Sequence, residues 1–253
     1  MIILYILGAI LAAIIGLLLL YILFLFICWL FIDPKKEYDT HSKFHRFHLN
    51  LATAIALKIL GIKIYTNNMD KIPTDVKPLF VGNHRSNYDP IIEWLILKDW
   101  KPAFISKAAN FKVPIFGRFI RKCCFMAINR ENPRKAITTI INAAKLLEKQ
   151  EVSVGVYPEG KRSKSAELLP FHNGVFKVAQ KADKPIVVML IEGTESIYKR
   201  APFRQSKVYF TITDVIPAEE VKAMKTEEIS ERVRAALDVS VKEVQDEQEV
   251  YSV

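Results

Sequence analysis

The sequence predicts an α/β fold in which helices flank a mixed, largely parallel sheet, preceded by an N-terminal two-helix membrane anchor. Two observations carry this prediction: residues 2–32 contain no charged side chain, and from Pro78 onward short apolar runs alternate with amphipathic segments. Strands that alternate with helical patterns are typical of βαβ units, which build parallel sheets. The 253 residues suffice for one domain with an appendage, and we expect residues 1–61 to form the anchor and residues 62–253 the α/β domain.

The first predicted element is a membrane helix over the uncharged run at residues 2–32. A bilayer crossing needs about 20 apolar residues, so the run fits a strongly tilted span or a helix that lies partly in one leaflet. A cleaved signal peptide is not expected, because no Lys or Arg precedes the run and no small-residue cleavage site lies near its end. Basic residues follow the run, so the positive-inside rule predicts that the rest of the chain faces the cytoplasm. These residues are Lys35, Lys36, Lys43 and Arg46.

The second predicted element is an amphipathic helix at residues 41–61. Its apolar face carries Phe44, Phe47, Leu51 and Ile55, and a polar face carries Lys43, Arg46 and Asn50. Basic residues that flank an apolar face suit a membrane interface. His41, His45 and His48 also share a helical face. Three histidines can bind a metal, but no carboxylate or cysteine follows at ligand spacing, so the pattern favours a wet interfacial face.

The remaining elements are strands and helices in alternation. The predicted strands span residues 79–81, 103–106, 125–128, 152–157, 186–191 and 208–215, and the predicted helices span residues 91–98, 115–123, 133–149, 175–182 and 226–247. Asn132 before Pro133 is a helix start signal, because asparagine caps a helix and proline suits its first position. The last helix has acids in its first turn and an apolar face, which we expect to point inward: Ile229, Val233, Leu237, Val241 and Val244.

The charge of the chain predicts anionic partners. Its net charge is +9 and its pI about 9.3. Nucleic acid, acidic lipid and phosphorylated substrates all fit that charge. The three cysteines, Cys28, Cys123 and Cys124, form neither a disulfide framework nor a zinc-ligand spacing, which favours a reducing compartment.

The stretch "VGNHRSNYDP" contains the first candidate catalytic group. His84 lies five residues before Asp89 and just after the predicted strand that ends at Val81. Open α/β sheets bind ligands beyond the carboxyl ends of their strands. If Asp89 accepts a hydrogen bond from one ring nitrogen of His84, the other nitrogen is free to take a proton, as in the base and orienting acid of a catalytic triad. The chain lacks the nucleophile motif G-x-S-x-G, so the simplest chemistry activates the hydroxyl of a substrate. A capping aspartate in a surface loop is the alternative.

The stretch "GVYPEGKRSKS" is the second candidate. Gly155, Gly160 and Lys161 match the start of a phosphate-binding P-loop, but Arg162 stands where that motif needs Ser or Thr for magnesium. Val156 and its neighbours continue a strand instead of a glycine-rich cradle, so we reject the nucleotide interpretation. The remaining prediction is a strand end that brings Lys161 and Arg162 to the same sheet edge as His84, where both can meet a phosphate. A solvated basic turn is the alternative.

Together these stretches resemble the lysophosphatidic acid acyltransferase family, which carries N-H-x-x-x-x-D and, further on, F/Y-P-E-G-T-R-S. The matches are Asn83, His84 and Asp89 in the first motif, and residues 157–160 with Arg162 and Ser163 in the second. Lys161 replaces the usual threonine. Two weaker blocks also fit: a middle block with Lys107, Pro114, Gly117 and Arg130, and a late block, "KPIVVMLIEG", that lacks its usual proline. The resemblance spans roughly residues 78–193.

The resemblance implies a glycerolipid acyltransferase-like fold and a set of roles. His84 would deprotonate the sn-2 hydroxyl of lysophosphatidic acid, with Asp89 orienting it, and the product would be phosphatidic acid. The implied substrate-binding residues are Asn83, Lys107, Arg130, Glu159, Gly160, Lys161 and Arg162. The acyl donor would be a thioester of coenzyme A or of acyl carrier protein, with no metal and no other cofactor.

The resemblance also implies partners and a location. We expect membrane lipids, lysophosphatidic acid and the acyl donor as partners, and no nucleic acid. The enzyme would sit in or on the cell membrane with its catalytic domain on the cytoplasmic face. Two alternatives remain open: an acyltransferase for another acceptor, such as glycerol-3-phosphate or another lysophospholipid, and a non-catalytic, membrane-anchored basic adaptor.

Overall fold

The computed structural model describes residues 1–165, 167–201, 204–238 and 249–251. Its strands form one sheet with the order β4-β3-β5-β2-β6-β7-β1-β8. The strands are β1 (Ile62–Asn67), β2 (Leu79–Gly82), β3 (Ala103–Lys107), β4 (Met126–Ile128), β5 (Val154–Val156), β6 (Ile186–Glu192), β7 (Ser206–Ile216) and β8 (Glu249–Tyr251).

The helices precede the sheet or connect its strands. They are α1 (Ile2–Leu30), α2 (Lys43–Ile59), α3 (Asp89–Ile96), α4 (Phe116–Lys122), α5 (Pro133–Glu148), α6 (Lys177–Ala182), α7 (Ile197–Arg200), α8 (Ala218–Ala223) and α9 (Thr226–Leu237). The predicted start of α5 is confirmed, because the side chain of Asn132 accepts a hydrogen bond from the backbone N–H of Lys135.

Strand direction confirms the mixed, largely parallel sheet. The five strands from β4 to β6 pair in parallel. β7 is antiparallel to β6, β1 is parallel to β7, and β8 is antiparallel to β1. The carboxyl ends of β4, β3, β5, β2 and β6 therefore meet at one edge of the sheet.

Two apolar cores cover the two faces of this sheet. Leu79 and Val81 of β2 belong to the first core, with side chains of α5, α6, α8 and α9. Phe80 belongs to the second core, with side chains of α2, α3 and α7. Alternate residues of a strand point to opposite faces, so a fully buried strand such as β2 is a continuous apolar run.

The predicted strands are all present, with boundaries that differ by up to two residues. The sequence analysis missed β1, in which apolar and polar residues alternate at the start of "IKIYTN". This strand follows directly after Gly61, which has a φ of +63° at the end of α2. The predicted helix at 175–182 divides into a 3-10 turn, Asn173–Phe176, and α6. In the last helix Ile229, Val233 and Leu237 are buried as expected, whereas Val241 and Val244 lie outside the described residues.

Helix α1 is the one helix in the described part of the chain whose length and apolar composition fit a membrane span. None of its residues is buried in the protein.

Helix α2 lies against the α/β domain, packed on α3 and α4. The prediction that Arg46 belongs to a basic face at the membrane interface is wrong. Arg46 is buried, its guanidinium donates to the carbonyls of Pro102 and Cys123, and it lies 4.3 Å from the Trp94 ring. The apolar face of α2 is instead exposed, at Phe44, Phe47, Leu51 and Ile55. The structure thus shows an apolar N-terminal helix that has no buried residue, and a second helix that is docked on the domain through Arg46 and Leu57.

The three histidines of this region are half-buried, and two of them contact neighbouring side chains, so they do not form a fully wet face. His45 shares a 2.7 Å hydrogen bond with the Ser42 hydroxyl and lies edge-on to Phe119. Burial, followed by the charge of Lys122, lowers the pKa of His45 to about 4. His48 contacts the Tyr21 hydroxyl of α1 at 2.7 Å. Burial also lowers the pKa of His41 and of His48.

Candidate active site

His84 and Asp89 form a hydrogen-bonded pair at the carboxyl end of β2. His84 Nδ1 lies 2.9 Å from Asp89 Oδ2. The Asp89 side chain is fully buried, whereas 16% of the His84 side chain remains exposed. A neutral imidazole that donates from Nδ1 keeps a lone pair on Nε2, which is the arrangement of a general base. The pair predicted from the sequence is therefore formed in the structure.

Asp89 is held by further donors that fix its orientation. The backbone N–H groups of Arg85 and Ser86 each donate to Oδ2 at 2.7 Å. The hydroxyl of Thr194 donates to Oδ1 at 2.5 Å. Hydrogen bonds to a carboxylate stabilise its charged form. Thr194 was missed by the sequence analysis, although it follows the end of β6 just as His84 follows β2.

Glu159 fastens the loop after β5 to the histidine. Its Oε1 accepts the backbone N–H of His84 at 2.8 Å, and its Oε2 accepts that of Leu169 at 2.9 Å. The Ser163 N–H donates to the His84 carbonyl at 2.8 Å. Because both oxygens of this buried carboxylate accept backbone N–H groups, Glu159 fixes the shape of the loop.

Gly160 allows that loop to turn. Its φ is +68°, and a Cβ there would lie 2.9 Å from a ring carbon of His172. A side chain at this position would be strained both by its backbone angle and by this contact.

Asn83 joins β2 to β6. Its Nδ2 donates to the Ile191 carbonyl and its Oδ1 accepts the Ile191 N–H, both at 2.9 Å. This buried amide extends the pairing of the two strands by one rung, so it positions the backbone that carries His84.

The cations implied by the resemblance lie at the same edge of the sheet. Lys107 ends β3, Arg130 follows β4, and Lys161 and Arg162 follow β5. All four are exposed, and none forms an ion pair with a carboxylate of the described residues. Arg85, by contrast, pairs with Glu195 at 3.6 Å. The four free cations make this edge attractive to an anion.

A cavity of about 240 Å³ adjoins the pair. Asn83, Arg85, Glu159 and Ser163 line it, but His84 and Asp89 do not. Its other polar residues are Glu167, Glu192 and Asp238, and burial raises the pKa of Glu192. Because carboxyl groups dominate this wall, it suits a phosphate less well than the four free cations do.

Two more side chains lie behind His84. The ring of Tyr157 stacks on the imidazole, and its hydroxyl donates to Oε2 of the buried Glu93. Glu93 was not among the residues predicted for the site. It lies one helical turn after Asp89 in α3, and its apolar neighbours in the sequence gave no sign of the tyrosine.

Comparison with known proteins assigns this chain to a family. The acyltransferase family model matches residues 63–192. A 1-acyl-sn-glycerol-3-phosphate acyltransferase of Cocos nucifera is 31% identical over 140 residues, which are 55% of this chain and 45% of that protein. The enzyme of the same name from Haemophilus influenzae is 28% identical over 163 residues, 62% of this chain and 65% of its own length. The Salmonella typhimurium enzyme is 23% identical over 75% of this chain and 77% of its own length.

A solved structure has the same fold. The crystal structure of the 1-acyl-sn-glycerophosphate acyltransferase PlsC from Thermotoga maritima matches with a TM-score of 0.65 and 21% identity, over 80% of this chain and 81% of that one. The matched part of this chain spans less than two thirds of the first relatives' own length, between 45% and 66%. The family model nevertheless covers about half of the chain, and it contains His84, Asp89 and the Glu159–Arg162 loop. This chain therefore belongs to the acyltransferase family, among relatives that include the 1-acyl-sn-glycerol-3-phosphate acyltransferases.

Proposed function

We propose that this protein transfers a fatty acyl group from an acyl thioester to the sn-2 hydroxyl of lysophosphatidic acid and so makes phosphatidic acid. The observation that carries the proposal is the 2.9 Å contact between His84 and the buried Asp89, at a sheet edge with four cations that form no ion pair with the described residues. The names of the related acyltransferases support the choice of acceptor. The pair supplies a base, and the cations suit the phosphate that distinguishes this acceptor.

In the proposed mechanism His84 Nε2 takes the proton of the sn-2 hydroxyl as that oxygen attacks the thioester carbonyl. Asp89 stabilises the imidazolium that forms and keeps its Nδ1 side fixed. The tetrahedral intermediate then collapses, the C–S bond breaks, and His84 returns its proton to the leaving thiolate. The ester and the free thiol are the products, and the histidine is again neutral.

The acceptor phosphate would bind the free cations of the sheet edge. Arg162 presents a planar fork that matches two phosphate oxygens, and Lys107, Arg130 and Lys161 add positive charge. Asn83 and Glu159 act indirectly in this proposal, since their polar atoms already bind backbone. Coenzyme A or acyl carrier protein would bring the acyl chain as a co-substrate.

The N-terminal region would bring the catalyst to its lipid. Each buried methylene holds a lipid in the bilayer by about 0.8 kcal/mol, so a long acyl chain contributes on the order of 10 kcal/mol and the acceptor rarely leaves the membrane. We propose that residues 1–61 anchor the chain, with α1 in the bilayer, the exposed apolar face of α2 at the interface, and residues 62–253 on the cytoplasmic side.

The test uses the purified full chain in detergent micelles, one lysophosphatidic acid, and acyl-coenzyme A or acyl carrier protein thioester as donor. Free thiol and phosphatidic acid are measured, and His84→Ala is the control. We expect thiol release that depends on the acceptor and matches the phosphatidic acid formed. Equal rates with glycerol-3-phosphate or a lysophospholipid of larger headgroup would contradict the acceptor assignment. No acceptor-dependent thiol release with either donor would favour the adaptor.

A further inference from the structure

A buried carboxyl group outside the His84–Asp89 pair lies one helical turn from Asp89. Glu93 is fully buried, and the Tyr157 hydroxyl donates to its Oε2 at 2.5 Å. Its Oε1 has no hydrogen-bond partner among the described residues. Burial, and next the charge of Asp89, raise the pKa of Glu93 well above its usual range. A second full charge at this place would be costly, so burial favours the neutral form of Glu93.

The side chain of Tyr157, which is hydrogen-bonded to Glu93, packs against one face of the His84 ring. The Tyr157 ring lies 4.3 Å from the His84 ring at an angle of 13°, which is a face-to-face stack. The ring of Phe104 stacks in turn on the ring of Tyr157, with centroids 5.9 Å apart and an angle of 10° between the ring planes. Gly155 leaves room for this phenylalanine, because a Cβ on Gly155 would come within 2.5 Å of the Phe104 ring. The stack therefore continues from His84 into the second apolar core.

Two contacts at right angles restrict the imidazole. Asp89 holds Nδ1 in the plane of the ring, and Tyr157 holds the ring by its face. Together they limit both side-chain torsions of His84, so Nε2 has one direction in which to meet a substrate. A flat π surface also suits the imidazolium that forms during proton transfer.

We propose that Tyr157 and Glu93 are positioning residues for His84: the tyrosine ring fixes the plane of the imidazole, and Glu93 acts through the tyrosine by anchoring its hydroxyl. The proposal rests on the proposed acyl transfer for its kinetic consequence, but not for its structural one. It assigns the contact with the imidazole to the ring of Tyr157, and it assigns the hydroxyl only the anchoring of that ring. It also assigns Glu93 a hydrogen bond that an uncharged isostere can make.

The structural test is NMR spectroscopy of the full chain in detergent with ¹³C-labelled histidine. The His84 signal is assigned by its absence from His84→Ala. We expect the ring current of Tyr157 to move the His84 ring protons upfield, and this shift to persist in Tyr157→Phe and vanish in Tyr157→Leu. Tyr65→Leu is the matched control, since it removes a ring stacked on Tyr209 at 5.3 Å on the far strands of the sheet. A His84 shift that is unchanged in Tyr157→Leu would overturn the stack.

The kinetic test separates positioning from chemistry. We expect Tyr157→Leu to lower kcat by about 10- to 100-fold with little change in acceptor KM, because misplacing a reacting group by about 1 Å costs on this order. Glu93→Gln should stay within about threefold of the unmodified protein, because an amide oxygen can still accept from the Tyr157 hydroxyl. Tyr157→Phe should lose less activity than Tyr157→Leu, because it keeps the ring but loses the anchor. A Tyr157→Phe or Glu93→Gln variant that folds and is as slow as Tyr157→Leu would overturn the assignment.

These measurements distinguish two failures. If the unmodified protein releases no thiol, the acyl-transfer proposal fails, while the NMR shift still decides whether the stack exists. If a thermal denaturation assay shows that Tyr157→Leu is not folded, the comparison of Tyr157→Phe and Glu93→Gln with the unmodified protein still decides whether the hydroxyl or a charged Glu93 is required.

Discussion

Arg118 of α4 holds the end of α1 at Trp29. Its Nη1 donates to the carbonyls of Trp29 and Ile32, both at 3.0 Å, and its guanidinium lies 4.0 Å from the Trp29 ring. The last carbonyls of a helix have no partner within the helix, and a cation there also interacts favourably with the helix dipole. This contact joins the apolar helix to the domain that carries the catalytic pair.

We expect Arg118→Ala to loosen α1 from the domain while the protein stays bound to membranes. The change removes two charge-assisted hydrogen bonds, each worth about 1.5–3 kcal/mol in a favourable site. Limited trypsin digestion should then cut faster after Lys35 or Lys36 in the linker. Arg118→Lys should protect the linker only in part, because an ammonium lacks the planar fork and its stacking. Unchanged digestion of Arg118→Ala would show that the contact does not hold the helix.

The catalytic pair makes the second prediction. His84→Ala should lower acyl transfer by about 100- to 10,000-fold, the usual effect of losing a general base, with folding and membrane association intact. Asp89→Asn should cost as much or less, because the imidazole loses its orientation. Initial rates of thiol release, checked against thermal unfolding, measure both. A well-folded His84→Ala protein with the original rate would rule out the mechanism.

Thr194 provides a test that the sequence analysis did not suggest. Thr194→Val removes the hydroxyl that donates to Asp89 Oδ1 and leaves the side-chain volume nearly unchanged. An unsatisfied buried acceptor costs about 1–3 kcal/mol, and we expect kcat to fall by about 3- to 30-fold. Thr194→Ser should recover most of the rate because it restores the donor. The matched control is Thr213→Val. The Thr213 hydroxyl donates to the Val188 carbonyl at 3.5 Å and does not contact the catalytic pair.

Arg162 and Lys161 distinguish phosphate binding from a P-loop. Arg162→Ala should lower acceptor kcat/KM by about 10- to 100-fold, partly through a higher KM, because a bidentate charged contact is worth roughly 1.5–3 kcal/mol. Arg162→Lys should recover little, and Lys161→Thr, the residue usual in the resembled family, should be mild. Rates are measured against acceptor concentration with and without ATP and magnesium. A severe Lys161→Thr defect beside a harmless Arg162→Ala would contradict the assignment of this loop.

The packed histidines make stability depend on pH. The pKa of His45 is about 4 in the folded protein, and an unfolded histidine has a pKa of about 6.5. Between these values the unfolded chain binds more protons, so this contribution is fully present above about pH 6.5 and is lost as the pH falls toward 4. His41 and His48 act in the same direction. Between pH 7 and 5, the thermal unfolding temperature in detergent should fall less for His45→Gln than for the unmodified protein. Equal decreases would refute the assignment.

The sequence by itself determined the features that depend on neighbouring residues. The spacing of apolar residues predicts the strands from β2 to β7 and most of the helices, because residues two to four positions apart share one face of a strand or helix. His84 and Asp89 are only five residues apart, so one turn of chain after a strand brings them together. The rule that parallel strands end at one edge was enough to place Arg162 near His84.

Only the tertiary structure decided the contacts between distant segments. Thr194 reaches Asp89 across 105 residues, Tyr157 reaches Glu93 across 64, and Arg46 finds its carbonyl acceptors 56 and 77 residues away. Periodicity shows which side of a helix is polar, but a polar side chain can face water or a buried acceptor with equal local pattern. Which one it meets depends on strand order and on what packs above it, and these are set by the burial of the whole core.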